Sequence, residues 1–223
     1  MSHSTGGGKA ISTGPPKLTA LHEQQLISAY KAGGSDAQAA ISELLHAYQR
    51  RIFAICVRML KREDDARDAT QEAILKVIEG LEGYDGRAKL STWIIRVTMN
   101  CCLSFLRREK IRRHGELAED EGLGFAKQPS GNVPTSGELS AGQRVEQQEQ
   151  RSLVLKALET LDGQSRALLV LRDTQDLDYE ELCEVFEVPL GTVKSRLFRA
   201  REALRSAIER EAGRAGSEGQ STG

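Results

Sequence analysis

The chain has 223 residues, room for one or two domains at roughly 100 to 200 residues each. Its 39% hydrophobic and 28% charged residues exclude a wholly disordered chain, and a composition led by Ala, Leu, Glu, Arg and Gln with only 4% aromatics argues against a sandwich or barrel. With 31 basic and 32 acidic residues the net charge is −1, so no global basic excess announces a polyanion binder.

Residues 1–17 are rich in Gly, Ser, Thr and Pro and read as a flexible tail. They lack the charged start and apolar run of a secretory signal, and no stretch of about 18 apolar residues could span a bilayer. A cytoplasmic protein with no membrane insertion is expected.

Gly33-Gly34 ends a first short helix and Ser35 or Asp36 caps a second, in which Ile41, Leu44, Leu45, Tyr48, Ile52, Ile55, Cys56 and Met59 keep helical spacing. A third helix starts near Asp64 and Asp65 with Ala66, Ala69, Ala73, Ile74, Val77, Ile78 and Leu81 as its apolar stripe. Its opposite face carries Asp65, Asp68, Gln71 and Glu72. The loop Gly83-Tyr84-Asp85-Gly86-Arg87 leads to a fourth helix, capped by Ser91 or Thr92 and running to about Arg113. On it Ile94, Val97, Cys101 and Phe105 face inward while Arg96, Asn100 and Arg107 share another stripe.

Residues 114–140 carry repeated Gly, Pro and Ser and read as a flexible linker. Beyond it Leu153, Ala157, Leu158 and Leu161 mark one helix and Ala167 to Leu171 a short second one. Asp178 and Glu181 have the spacing of a capping box and open a helix with Leu182, Val185 and Phe186 inward. After a turn at Val188-Pro189-Leu190-Gly191, Thr192 caps a last helix with Val193, Leu197, Ala200, Leu204 and Ile208 inward. The expected fold is all-α: two small helical domains, 18–113 and 141–211, joined by the 114–140 linker and followed by a flexible tail, 212–223.

The near-zero net charge hides segregation. Arg87 to Arg113 holds eight basic residues against Glu109, a local charge of +7, and Lys194 to Arg210 holds six against two acids, a charge of +4. Arg172 to Val188 instead holds seven acids and one Arg. Two separate basic surfaces imply polyanion contacts at two places.

Short helix, tight turn and basic helix form a helix-turn-helix pattern, whose second helix enters the major groove of DNA. Lys194, Ser195 and Arg199 are placed to reach base edges; Arg196, Arg201 and Arg205 suit phosphates. In the fourth helix Trp93, preceded by Tyr84 and followed by Arg96, Asn100 and Arg107, combines flat rings with donors, a set suited to unstacked bases. Trp93 taken alone reads as a core residue; the cluster is more informative than any member. The acidic face of the third helix repels DNA and is either a solvated face or a dock for a basic protein partner. Cys56, Cys101, Cys102 and Cys183 show no zinc spacing and read as reduced core residues. No metal and no cofactor are expected.

The segments Asp65-Ala-Arg-Asp68-Ala-Thr-Gln71-Glu72 and Tyr84 through Trp93 to Asn100 resemble region 2 of bacterial RNA polymerase sigma factors of the extracytoplasmic-function type, group IV of the sigma-70 family. Pro189-Leu-Gly191-Thr192-Val193-Lys194-Ser195-Arg196-Leu197-Phe198-Arg199-Ala200-Arg201 is similar to their region 4 recognition helix. Tyr84 and Leu90 stand where such factors often have Phe, and Ser104 where Asp is common.

The resemblance implies that Asp65, Asp68, Gln71 and Glu72 dock on the clamp helices of the polymerase beta-prime subunit. It implies that Tyr84, Arg87, Lys89, Trp93, Arg96, Asn100 and Arg107 melt and hold the −10 promoter element. It gives Thr192, Lys194, Ser195, Arg196, Phe198, Arg199 and Arg201 to the −35 element, in a module that also meets the beta flap. The expected function is promoter recognition and melting for transcription initiation, with core RNA polymerase and promoter DNA as partners and no enzymatic step; an anti-sigma protein is a further partner the sequence leaves open. A stand-alone dimeric helix-turn-helix regulator is the alternative, and it gives the acidic third helix and the Trp93 helix no task.

Overall fold

A computed structural model describes residues 18–116 and 141–218, which form eight α-helices and no strand. The all-α reading holds. The expected tail over 1–17, most of the expected linker (117–140) and residues 219–223 lie outside the described residues. The chain packs as two compact units that divide between Tyr48 and Gln49, inside the second helix and not at the 114–140 segment.

In the first unit, α1 (Ala20–Ala32) starts at Thr19, whose hydroxyl accepts from the His22 N–H at 3.3 Å. It stops at Gly33, whose φ of +72° is open to glycine and strained for other residues. α2 (Ala37–Met59) follows directly after Asp36. Leu26, Ile27, Ile41, Leu44 and Tyr48 are buried, and His22 meets Glu43 at 2.6 Å while the Tyr48 hydroxyl donates to Glu23.

The second unit holds the end of α2, α3 (Glu63–Leu81), α4 (Leu90–Glu116), α5 (Ala141–Thr160), α6 (Gly163–Leu169), α7 (Tyr179–Phe186) and α8 (Leu190–Glu218). α6 runs into a π-helical turn, Val170–Thr174. Ala66, Ala69 and Ala73 are fully buried, and so small a stripe lets α3 lie close along its neighbours. α4 buries two faces at once, through Ile94, Ile95, Thr98, Met99, Cys101 and Cys102. Val97 and Phe105, expected inward, are only half-buried. Cys56, Cys101 and Cys102 are buried free thiols, as read from the sequence, and Cys183 is partly exposed.

Two helix starts differ from expectation, those of α4 and α8, while α3 starts where it was expected. α4 begins at Leu90, which is 3% exposed, so burial of that side chain draws the chain into the helix before Ser91; Thr92 is a buried residue of the first turn. α8 begins at Leu190, with the Thr192 and Val193 N–H groups bonded to the Pro189 carbonyl. Thr192 therefore lies within the helix, and the left-handed residue of the turn is Glu187 (φ 53°), with Gly191 already helical. α3 begins at Glu63 with no side-chain cap, its first turn carrying Glu63, Asp64 and Asp65 against the helix dipole. α4 and α8 also continue to Glu116 and Glu218, past the ends expected at 113 and 211. The capping box of α7 is present as read: Asp178 accepts from the Glu181 N–H at 2.7 Å and Glu181 from the Asp178 N–H at 3.1 Å.

One buried cation ties this unit together. Arg166 of α6 is 3% exposed, and its guanidinium donates to the carbonyls of Leu158 (2.9 Å), Glu159 (2.8 Å), Leu161 (3.2 Å) and Met59 (2.6 Å). The first three lie at and just beyond the end of α5 and the last is the final residue of α2. Helix C-termini present unpaired carbonyls and the negative end of the dipole, so one planar cation with five donors satisfies both ends. Desolvation lowers its affinity for the proton, and an arginine stays charged nonetheless. Arg166→Leu removes this donor from all four carbonyls, of which Leu158 keeps the Leu161 N–H, and the expected loss is about 2 kcal/mol or more, read as a lower urea midpoint with an unchanged m-value.

Candidate nucleic-acid interface

The Gly83–Arg87 loop and the start of α4 build a concave cleft of about 290 Å3, lined by Gly83, Tyr84, Asp85, Arg87, Ala88, Trp93 and Arg96. The Tyr84 hydroxyl donates to the Ala88 carbonyl at 2.6 Å, which pins the ring across the base of its own loop. Gly86 at φ 76° and the Arg87 N–H bond to Asp85 Oδ1 (3.1 Å) shape the tip. Tyr84 and Trp93 meet with ring centroids 5.3 Å apart and planes inclined at 51°, a tilted aromatic pair. Trp93 is half-buried, so it serves as a wall of the cleft as well as a packing residue. The structure thus brings Tyr84, Arg87, Trp93 and Arg96 to one place, two rings and two guanidinium-bearing side chains lining one cleft.

Gly80 of α3, unmarked in the sequence reading, makes this possible. A Cβ built there would lie 2.9 Å from Trp93 Cζ2 and 3.3 Å from Cη2, so the indole rests directly on the helix backbone. A lone glycine in a helical pattern that lies one turn before an aromatic loop is the only sequence signal for it.

Further along α4, Trp93, Arg96, Val97, Asn100 and Leu103 line a second cleft of about 470 Å3, closed from the other side by Gln164, Val185, Phe186, Glu187 and Arg196. Asn100 is exposed and Arg96 pairs with Glu187 at 2.8 Å. Lys89 pairs with Glu181 at 3.1 Å. Arg107 is exposed and folds back on the Leu103 carbonyl at 3.2 Å, one turn beyond the cleft.

On α8 the buried seam Val193, Leu197, Ala200 and Ala207 leaves Lys194, Ser195, Phe198, Arg199 and Arg201 on the outer surface. Phe198 is 68% exposed, a large apolar group beside basic ones. The Ser195 hydroxyl donates to the Thr192 carbonyl (3.0 Å), Arg199 Nε to the Ser195 carbonyl (3.3 Å), and Arg201 pairs with Asp173 at 3.0 Å. Arg196 departs from this set: it is half-buried and lines the cleft against α4. The Lys194 ammonium lies 5.9 Å from the centre of the Tyr179 ring.

On α3, Asp68 and Gln71 are exposed and Asp65 and Glu72 half-buried. Lys76 and Arg108 approach Glu72 at 2.6 and 3.0 Å and hold its carboxyl below the usual carboxylate range, Lys76 more than Arg108. Leu75, absent from the sequence reading, is 59% exposed one turn after Gln71 and Glu72. It gives the acidic ridge an exposed apolar group at its C-terminal end.

The family described as Sigma-70 region 2 matches residues 44–112, and Sigma-70, region 4 matches residues 151–204. The ECF RNA polymerase sigma factor SigW of Bacillus subtilis is 31% identical over 184 residues, covering 82% of this chain and 94% of that protein. The chain belongs to the ECF sigma factors of bacterial RNA polymerase. The ECF RNA polymerase sigma-E factor of Escherichia coli (strain K12) is 28% identical over 197 residues, with 85% and 95% covered. Among solved structures, CnrH in complex with the cytosolic domain of CnrY aligns with a TM-score of 0.57 at 18% identity, covering 84% of this chain and 97% of that one. The sigma factor RpoE bound to the anti-sigma factor NepR from Bartonella quintana aligns with a TM-score of 0.56 at 20% identity, covering 75% and 96%. At such identities these two structures establish the shared fold.

As a sigma factor the chain works with core RNA polymerase on promoter DNA, and its two basic segments begin inside the two family regions and run a few residues past their ends. Among the described residues no helix is long and apolar enough to cross a membrane.

Trp93 is the chain's single tryptophan, so intrinsic emission reports this cleft alone. Replacing a helical glycine by alanine normally stabilises by about 1 kcal/mol. Gly80→Ala is expected to forfeit that gain and to shift the Trp93 emission to the red, as the new methyl lifts the indole toward solvent; fluorescence and thermal unfolding of the same sample check it.

Proposed function

We propose that the sigma factor divides its work among three surfaces: Asp65, Asp68, Gln71 and Glu72 of α3 dock on the beta-prime clamp helices, the Tyr84–Trp93 cleft and Asn100 hold the −10 element, and α8 reads the −35 element. The observation that carries this reading is the aromatic cleft, lined by two rings together with Arg87 and Arg96, with Asn100 one turn beyond Arg96. A base leaves the stack only if stacking and hydrogen bonds outside the duplex offset a few kcal/mol of unstacking. Tyr84 and Trp93 offer the ring surfaces, Asn100 offers a side-chain amide able both to donate and to accept, and Arg87, Lys89, Arg96 and Arg107 neutralise the backbone on either side. The protein traps unpaired bases and makes or breaks no covalent bond.

On α8, Lys194, Ser195 and Arg199 reach base edges in the major groove, while Thr192, Arg196 and Arg201 contact phosphates and Phe198 offers its ring to thymine methyl groups or the beta flap. Each module binds its element weakly, and docking on one polymerase core raises the effective concentration of the second contact once the first has formed. Domain limits of 18–113 and 141–211 follow from this division of tasks. The cell interior is the place of action, and an anti-sigma protein, as bound by the Bartonella quintana relative, is a further partner proposed for this chain.

The acidic ridge and the −10 cleft are separable. In co-purification with core polymerase, Asp68→Arg is expected to lose binding about tenfold or more, through like-charge or misplaced-charge contact with the partner. Trp93→Ala and Asn100→Ala keep that binding, and permanganate footprinting shows melting reduced, by about tenfold or more for Trp93. Normal melting in both variants refutes the assignment of the cleft.

For the other module, Arg199→Ala relaxes base choice at one −35 position at a cost of about 1 to 3 kcal/mol. Arg201→Ala weakens all sequences alike and reduces the salt slope by about one. Filter binding of holoenzyme to matched and scrambled −35 fragments over a salt series separates the two.

A further inference from the structure

The second cleft along α4 is polar, and much of its hydrogen-bonding capacity is unused. It measures about 470 Å3, within the roughly 300 to 1,000 Å3 of small-molecule sites. α4 contributes Trp93, Arg96 and Asn100 to the lining, and α6, α7 and α8 contribute Gln164, Phe186 and Arg196. Arg96 is paired with Glu187 at 2.8 Å. Among the described residues, the Arg196 guanidinium and the side-chain amides of Asn100 and Gln164 have no hydrogen-bond or ion-pair partner.

We infer that this cleft is a binding site for a free nucleotide of the nucleoside diphosphate class, with the base against the Trp93 and Phe186 rings and the phosphates on Arg196. The inference stands on the cleft alone and does not depend on the assignment of either basic surface to DNA.

The chemistry of the lining selects the class. A flat heteroaromatic base stacks on aromatic side chains whatever its sequence identity, and two half-buried rings line this cleft. A phosphate takes a planar guanidinium through two parallel N–H donors. Arg196 is the cation left for it, since Arg96 already shares its charge with Glu187. One free guanidinium beside one shared guanidinium suits a short phosphate chain and not a long polyanion. The edge of a base carries donors and acceptors together, and a side-chain amide answers both; Asn100 and Gln164 supply two such amides. Val97, Leu103 and Val185 make the rest of the lining apolar, which favours a ligand with a ring over a bare inorganic anion.

These groups are held in position by the packing around them. Asp162 accepts from the Gln164 and Ser165 N–H groups, each at 3.0 Å, so the backbone of this turn is occupied and the Gln164 side chain remains for a ligand. The turn is fixed on α4, since a Cβ on Gly163 at the start of α6 would lie 3.1 Å from Leu106 Cδ1 and 3.2 Å from Leu103 Cδ2. On α8 the buried Val193 and Leu197 lie either side of Arg196 in the chain, and Arg196 lines the cleft while Lys194, Ser195 and Arg199 stay on the outer surface. Groups already placed lose little freedom when a ligand arrives.

The test uses the full chain, with ADP, GDP, adenosine and inorganic pyrophosphate as probes. Trp93 is the single tryptophan, so a base stacked in the cleft quenches the intrinsic emission. ADP and GDP are expected to quench it saturably, with a dissociation constant of about 100 µM or tighter, within reach of a ligand of that size. Equilibrium dialysis with labelled ADP gives the same constant. Adenosine and pyrophosphate each bind about tenfold more weakly or worse, because each meets one part of the lining only. Arg196→Ala weakens ADP binding about tenfold or more through loss of a charge-assisted contact, and Gln164→Ala, at an exposed position, weakens it about threefold. Arg210→Ala, which removes an equal charge from an exposed position farther along α8, changes it less than about twofold. Thermal unfolding checks that each variant folds, and Gln164→Ala carries the comparison if Arg196→Ala does not. Absence of saturable ADP and GDP binding overturns the proposal. So does binding in dialysis without a change at Trp93, pyrophosphate binding as tight as that of ADP, or a loss in the cleft variants no larger than in Arg210→Ala.

Discussion

Burial of one arginine governs the larger unit. Arg166 places a charge in a site only 3% open to water, where its hydrogen bonds go to backbone carbonyls and the Glu159, Glu109 and Asp162 carboxylates add attraction from farther off. Such a charge is tolerable because the negative ends of two helix dipoles and four carbonyls converge on it. The constraint runs both ways. The guanidinium fixes the distance between the ends of α2 and α5, and those helices in turn fix where α6 and the helix-turn-helix lie relative to α4. Every placement discussed for the second cleft follows from that anchoring.

Around the anchor, close backbone approach does the positioning. Gly80 lets Trp93 rest on α3, Gly163 lets α6 reach Leu103 and Leu106, and the alanine stripe of α3 lets the helices beside it lie near. Large side chains at these positions would enlarge every gap and leave the aromatic cleft without a floor. The cleft is therefore a property of the small residues beneath it as much as of Tyr84 and Trp93. Rigid support of this kind suits the task proposed for this cleft, holding an unstacked base, since a mobile ring loses rotamer freedom when it binds.

Charge segregation serves the same molecule in two ways. A net charge of −1 keeps the protein from adhering to nucleic acid at large, while local excesses on α4 and α8 provide contacts where they are wanted. The acids of α3 and of the α7 segment are not a neutral background. The former carry an exposed Leu75 among them and suit a protein partner; the latter meet Lys89 and Arg96 inside the chain. Opposite charges of comparable strength at exposed positions make contacts that salt screens.

Much of this was legible in the residues themselves. Helical periodicity marked the α3 and α8 seams, the Asp178–Glu181 spacing marked a capping box, and the Tyr84 to Asn100 and Pro189 to Arg201 segments carried the family resemblance, because each of these rests on interactions between near neighbours in the chain. The helix start at Leu90 was missed, since burial of that leucine against the rest of the fold outweighed the capping preference of Ser91 or Thr92; at Leu190, which is exposed, the Pro189 carbonyl instead takes the Thr192 and Val193 N–H groups and starts the helix before Thr192. The roles of Gly80, Gly163 and Arg166, the exposure of Leu75 and the turning of Arg196 toward α4 had no local signature at all. They depend on which surfaces meet across tens of residues, and a periodic pattern says which face of a helix is buried without saying what it is buried against. Sequence alone thus determined the helices, their charged faces and the family; only the packing of α6 and α7 on α4 decided which of those faces stand open and which are held by acids of the same chain.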